Sequence, residues 1–321
     1  MSELTQQNTR LMYEDVYIRA AKESDRPKML AIAEGTWDGH DYLPHVLDAW
    51  FADDKGVFRV MIYQDEVVAI GKLSSLGDGE WWLEGLRVAP SMRGRGAARI
   101  MHHYMVGQAR QIADGVVRFS TAGSNEAVAK LAAETGFQLV VAYVPFEIKA
   151  QSAATKKFWQ LTTDNLAQVW EWLNQSDYFE AGQRSFEFRW KWRLTNEAML
   201  SDGLRDGHIY GWTPDGDGKT LTGLLVINPP YEDGSGETMV SVAFGDTLAD
   251  LRHQFWGDVA VFAGSLGGNY VHAKVVQLPE YTDPLVDAGW EAADIRPVLY
   301  SRPIQMTTES DVQYENIPPI E

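Results

Sequence analysis

Apolar residues recur along this chain with two periods, and the change from one to the other predicts its elements. Val16-Tyr17-Ile18-Arg19-Ala20 alternates and predicts a strand, because successive strand side chains point to opposite faces. Met29, Leu30, Ile32 and Ala33 then supply one helical face, with Ser24 or Asp25 as the cap and Pro27 tolerated in the first turn. A loop at 37–44 leads to a second helix over 45–52. Strands are predicted at 57–63 and 67–73, joined by a turn at Gln64-Asp65-Glu66, and at 80–88. Residues 97–113 have helical spacing, 116–120 read as a strand, 125–135 as a helix and 138–148 as a last strand. The order is β-α-α-β-β-β-α-β-α-β.

The second half repeats this order more weakly. Strands are expected at 158–161, 208–212, 221–227, 237–244, 270–276 and 297–301. Helices are expected at 164–173, through a Trp-rich segment to Leu200, and at 248–266 and 283–288. One stretch repeats residue by residue. Val117-Arg118-Phe119-Ser120 followed by Leu131 and Gly136-Phe137 echoes Val271-His272-Ala273-Lys274 followed by Leu285 and Gly289-Trp290. Repetition at this length predicts duplication of a whole domain. The small, polar run at 150–157 marks the boundary, and the polar, Pro-bearing tail after Pro303 is expected to lie extended or loose.

Composition narrows the chemistry. Residues 1–150 hold 16 Lys/Arg against 20 Asp/Glu, a balance of −4; residues 151–321 hold 12 against 25, a balance of −13. A surface this acidic argues against nucleic-acid binding through a broad basic face. The chain has no cysteine, which excludes disulfides, thiolate metal sites and a cysteine-bound acyl intermediate. The histidines show no metal-ligand spacing, so no metal is expected. No apolar run is long enough for a membrane span, and the first twenty residues do not read as a secretory signal. The expectation is a cytoplasmic enzyme or binding protein, monomeric or homodimeric.

The segment Glu84-Gly85-Leu86-Arg87-Val88-Ala89-Pro90-Ser91-Met92-Arg93-Gly94-Arg95-Gly96-Ala97-Ala98 is a strand, a turn, a Gly/Arg loop and a helix start. The first-turn N–H groups of a helix lack intrahelical partners, and the helix dipole adds partial positive charge there. Gly94 and Gly96 permit positive φ and close approach of a phosphate, and Arg93, Arg95 and Arg99 add local charge. The pattern predicts an anion site.

These residues resemble the GNAT N-acetyltransferase superfamily, whose acyl-CoA loop reads Arg/Gln-x-x-Gly-x-Gly/Ala. Here Arg93, Gly96 and Ala98 fill those positions, and Leu86-Arg87-Val88-x-Pro90 matches the preceding strand end. The resemblance covers about 16–148. It implies an α+β fold of two tandem domains, 1–150 and 151–321, each a central mixed, splayed β-sheet flanked by helices. It further implies acetyl-CoA as co-substrate, its pyrophosphate on the amides of Gly94, Arg95, Gly96, Ala97 and Ala98. Backbone N–H groups of Leu86, Arg87 and Val88 would face the thioester, and Asn125 the pantetheine arm. The position where the family often has a proton-donating Tyr is Ala132 here, leaving Tyr143, Tyr104 or water. The matching place in the second half carries Asp246 and Asp250, which would repel a pyrophosphate, so that half reads as a degenerate copy.

Two candidates for the chemistry follow. Glu84 lies mid-strand, on one face with Trp82 and Leu86 if alternation is unbroken, and could take a proton from the attacking amine; it could equally be a solvated or Arg87-paired carboxylate. His40 lies in the loop that shapes the acceptor site, beside Asp38 and Asp41, and could act as base or recognise a cationic amine; the aspartates also suit turn and cap positions. Trp37 and Tyr42 could wall the pocket or belong to the core. The loop resembles that of a GNAT subgroup containing histidine N-acetyltransferase-like proteins. The reading is N-acetylation of a small amine, such as an amino acid; the alternatives are a non-catalytic acyl-CoA-binding module and a peptide or protein acetyltransferase.

Overall fold

A computed structural model describes residues 10–36, 41–112, 114–151, 153, 155–218, 220–232 and 235–306. Trp37, Asp38 and His40, and the tail after Met306, lie outside the described residues. By contact the chain divides into two units. The first is drawn from Met1–Phe119, Ala127–Gln138 and Ser301–Glu321, the second from Ser120–Glu126 and Leu139–Tyr300.

The first ten elements run in the predicted order: β1 (Tyr17–Ala20), α1 (Arg26–Glu34), α2 (Leu43–Ala52), β2 (Val57–Tyr63), β3 (Glu66–Gly77), β4 (Glu80–Val88), α3 (Ala97–Ile112), β5 (Gly115–Ala122), α4 (Glu126–Glu134) and β6 (Gln138–Lys149). β1 to β4 form an antiparallel ladder, and β5 joins β4 in parallel. Met29, Ala33, Leu43, Leu47 and Trp50 of α1 and α2 bury themselves against Phe58, Val60 and Ile70 on one sheet face. α3 covers the other face, where its Met101 and Met105 come so close to the Gly71 backbone that a Cβ there would meet Met105 Cγ at 3.1 Å.

The second half continues with β7 (Phe158–Gln160), α5 (Leu166–Gln175), α6 (Asp177–Ala181), β8 (Ser185–Phe188), β9 (Lys191–Leu194), α7 (Glu197–Arg205), β10 (Ile209–Trp212), β11 (Gly223–Ile227), β12 (Tyr231–Glu232), β13 (Thr238–Thr247), α8 (Arg252–Ser265), β14 (Tyr270–Val276), α9 (Pro279–Asp287), β15 (Glu291–Ala292) and β16 (Pro297–Ile304). The Trp-rich segment expected to be helical is instead the β8–β9 hairpin. Phe186 and Trp192, both 1% exposed, lie on opposite faces of it, since Phe186 pairs with Arg193 and Trp192 with Glu187, and burial on both faces overrides the helical reading. α8 starts four residues later than expected, after a 3-10 turn at Ala249–Leu251.

Both units are mixed sheets flanked by helices, an α+β architecture, and each carries a parallel ladder at the same place in the order: β4 with β5, and β13 with β14. The last strand of each half is exchanged. β6 pairs over seven residues with β14, from Tyr143↔Val276 to Lys149↔Tyr270, while Ser301–Ile304 of β16 belong to the first unit.

Candidate active site

Among the described residues, the β4–β5 ladder runs from Glu80↔Val116 to Trp82↔Arg118 and stops. A buried ion pair, Arg118 to Glu80 at 3.2 Å, spans this short ladder. Beyond it, at Gly85, β4 carries a bulge: partner positions shift from Lys72↔Glu84 to Ile70↔Arg87. Gly85 has φ 69°, and a Cβ on it would meet Trp50 Cη2 at 2.3 Å, so only glycine fits. The extra residue reverses the alternation. Leu86 therefore leaves the face of Trp82 and Glu84, and Arg87 takes its place. The expectation that Leu86 shares that face fails because the alternation is broken.

The resulting polar row lies on the α1/α2 side of the sheet. Ser74 Oγ donates to Glu84 Oε1 at 2.6 Å. Beside it, Lys72, 1% exposed, pairs with Asp53. Burial raises the Asp53 pKa, but the Lys72 ammonium and the N–H groups of Gly56 and Lys55 outweigh it and hold the carboxyl below its usual range. Arg87 makes a bidentate pair with Asp41, Nε to Oδ2 at 2.6 Å and Nη2 to Oδ1 at 3.0 Å. Asp41 Oδ1 also accepts from the Leu43 N–H at 3.0 Å, at the start of α2. Asp41 thus ties the bulged strand to the helix. The Arg87 guanidinium lies 5.1 Å over the Tyr42 ring, whose edge rests on Trp50. Tyr42 is 39% exposed, yet its hydroxyl is desolvated, and burial raises its pKa against the pull of Arg87.

The structure brings Glu84, Arg87, Asp41 and Tyr42 together on this face. Ser74, Lys72 and Asp53 were missed from the sequence. A lone glycine inside a strand pattern was the available signal for the bulge.

The Gly/Arg loop lies at the end of β4. A 3-10 turn at Pro90–Met92 precedes it, Arg93 and Gly94 are exposed, and α3 begins at Ala97. Gly94 and Gly96 have φ 76° and 94°, and a Cβ on Gly94 would meet nothing within 4 Å. The Arg95 carbonyl accepts from Leu11, and the Gly96 carbonyl from Ile100. Among the described residues, the backbone N–H groups of Gly94, Gly96, Ala97 and Ala98 make no hydrogen bond. An open loop of this kind fits the diphosphate of a CoA ester. The arginine side chains have other partners: Arg93 donates to the Gly35 carbonyl at 2.7 Å, Arg95 stacks on Tyr63 at 5.2 Å, and Arg99 pairs with Glu134 at 2.6 Å. Asn125, just before α4, clusters with the second unit and donates to Thr121 Oγ1 at 3.3 Å.

The matching turn of the second unit is built differently. Asp246 is buried; it accepts from Arg252 Nε at 2.9 Å and from Ser176 Oγ at 2.8 Å, so the first residue of α8 is spent on an internal carboxylate. Burial raises the Asp246 pKa against the pull of Arg252.

Residues 24–137 match the family model described as Acetyltransferase (GNAT) family. Histidine N-acetyltransferase from Oreochromis niloticus is 34% identical over 82 residues, covering 25% of this chain and 24% of that protein. The chain spans about a quarter of the length of the curated relatives it matches. A GCN5-related N-acetyltransferase from Sphaerobacter thermophilus shares the fold over 92% of this chain and 98% of its own, with TM-score 0.59 at 12% identity. A tandem GNAT protein from the clavulanic acid biosynthesis pathway does so over 91% and 100%, with TM-score 0.51 at 15% identity.

Proposed function

We propose, from the premise that residues 24–137 form a domain of the acetyltransferase (GNAT) family, that this chain is an acetyl-CoA-dependent N-acetyltransferase acting on a small amine. The observation that carries the reading is the loop at 93–98, with its two left-handed glycines and amides at the start of α3 that have no partner among the described residues. Acetyl-CoA supplies the acetyl group as a thioester. The amides of Gly94, Gly96, Ala97 and Ala98 hold its diphosphate, and the strand end at Leu86–Val88 offers N–H groups to its carbonyl oxygen.

The amine nitrogen attacks the carbonyl carbon directly, forming the amide bond as the carbon–sulfur bond breaks. A covalent cysteine intermediate is impossible in a chain without cysteine. The proton leaving nitrogen goes to Glu84, directly or through water, and Ser74 fixes the carboxylate for that role. The departing thiolate takes its proton from water. Ala132 is fully buried, and Tyr104 and Tyr143 are 2% and 3% exposed, Tyr143 stacked on Trp192. The Arg87–Asp41 pair holds the acceptor wall, with Tyr42 along it. The second half, 151–321, is a degenerate copy: its α8 start lacks the glycines and directs Arg252 onto Asp246.

Incubation with acetyl-CoA and a panel of amines tests the reading. Amine-dependent release of CoA thiol is expected, and its absence across all amine classes would overturn it. Ala132 favours a second reading, a module that binds acyl-CoA without turnover. Thermal stabilisation by CoA with no thiol release would select that one.

A further inference from the structure

In the second unit, Arg189 and Trp190 form the two-residue turn between β8 and β9, with φ 49° and 71°. Turns of this kind favour Asn-Gly, because a Cβ crowds the left-handed backbone. Burial does not explain a tryptophan there, since 43% of it is exposed. The residue is nonetheless pinned. Its N–H donates to Glu187 Oε1, and its carbonyl accepts from Ser120 Oγ at 3.2 Å. Lys274 Nζ sits 4.6 Å from the centre of the indole and 2.8 Å from Glu187 Oε1, with side chains 10% and 3% exposed. The neighbouring Arg189 guanidinium is turned away, 4.5 Å over Tyr231. One face of the indole is therefore backed by a nearly buried, ion-paired cation, and the turn that carries the ring is held by hydrogen bonds at its backbone.

We propose that the outer face of Trp190 is a stacking platform for a neutral planar ring. A cation on one face draws the π density towards itself. The opposite face then becomes a poor seat for a second cation and a better one for an electron-rich, uncharged ring. The acidic second half, 12 Lys/Arg against 25 Asp/Glu, still attracts a ligand that bears an amine elsewhere on its frame.

Calorimetric titration of the full chain with tryptamine and with ring-free butylamine tests this. Wild type is expected to bind tryptamine more tightly than butylamine. Trp190→Leu, which keeps apolar area without the ring, should lose about tenfold in tryptamine affinity, and Trp190→Tyr should retain most of it. Equal tryptamine affinity in wild type and Trp190→Leu, or no preference for tryptamine over butylamine in wild type, would overturn the proposal.

Discussion

Glu84 has a defined partner in Ser74 and lies on the polar row shared with Lys72 and Arg87, which makes its role separable from folding. Glu84→Gln keeps an acceptor for the Ser74 hydroxyl but removes the base. Turnover should fall about a hundredfold with acetyl-CoA binding unchanged, measured by steady-state thiol release and calorimetry; an unaltered rate would remove Glu84 from the chemistry. His102 gives a second residue-scale prediction. It is 3% exposed, pairs with Thr135 Oγ1 at 2.9 Å and packs beside Phe119 and Phe137, and burial lowers its pKa to about 4. The unfolded chain therefore takes up a proton near pH 6.5 that the folded one refuses until about pH 4. Stability from this site is complete above pH 6.5 and declines through that window, by about 3 kcal/mol. Urea unfolding at several pH values should show a flatter acid limb for His102→Gln, and identical limbs would contradict the assignment. Residue identity made both groups visible in sequence, but their partners are distant in the chain and were not legible.

At the scale of elements, the β4 bulge sets which side chains share a face. Gly85→Ala adds a Cβ against Trp50 at a left-handed backbone, and should cost about 3 kcal/mol in denaturant unfolding; a loss under about 1 kcal/mol would show that the bulge can relax. The periodicity of 57–63, 80–88 and 97–113 located their elements almost to the residue, because strands and helices with one buried face carry their own period. It did not reveal the bulge, since the alternation was read straight across Gly85. It also misread the β8–β9 hairpin, where aromatic residues dense enough to satisfy either period hid the turn at Arg189-Trp190. The Gly/Arg loop was readable because its glycines and its place between strand and helix are local features. That Arg93 and Arg95 turn to Gly35 and Tyr63 is a tertiary outcome no local pattern carries.

For the molecule as a whole, the duplication was legible as a repeated order of elements, and the fold carries a parallel ladder at the same place in each half. The pairing of β6 with β14 was not, because pairing partners do not appear in hydrophobic period. Its consequence is a prediction: a chain cut at residue 150 leaves β6 without β14 and the first unit without Ser301–Ile304. The 1–150 fragment should lack cooperative unfolding in calorimetry, whereas a single sharp transition would show that the exchanged strands are dispensable.

The central claim is that a CoA diphosphate rests on the amides at the start of α3, and a charge placed there tests it most directly. A glutamate at Gly96 would confound the test, because φ 94° strains any side chain. Ala98→Glu keeps a good helix former in the first turn, favourable to the dipole, and sets a carboxylate against the diphosphate. Calorimetric titration with acetyl-CoA should show measurable binding to wild type and a loss of at least about tenfold in Ala98→Glu. Equal affinity in the two proteins would contradict the account.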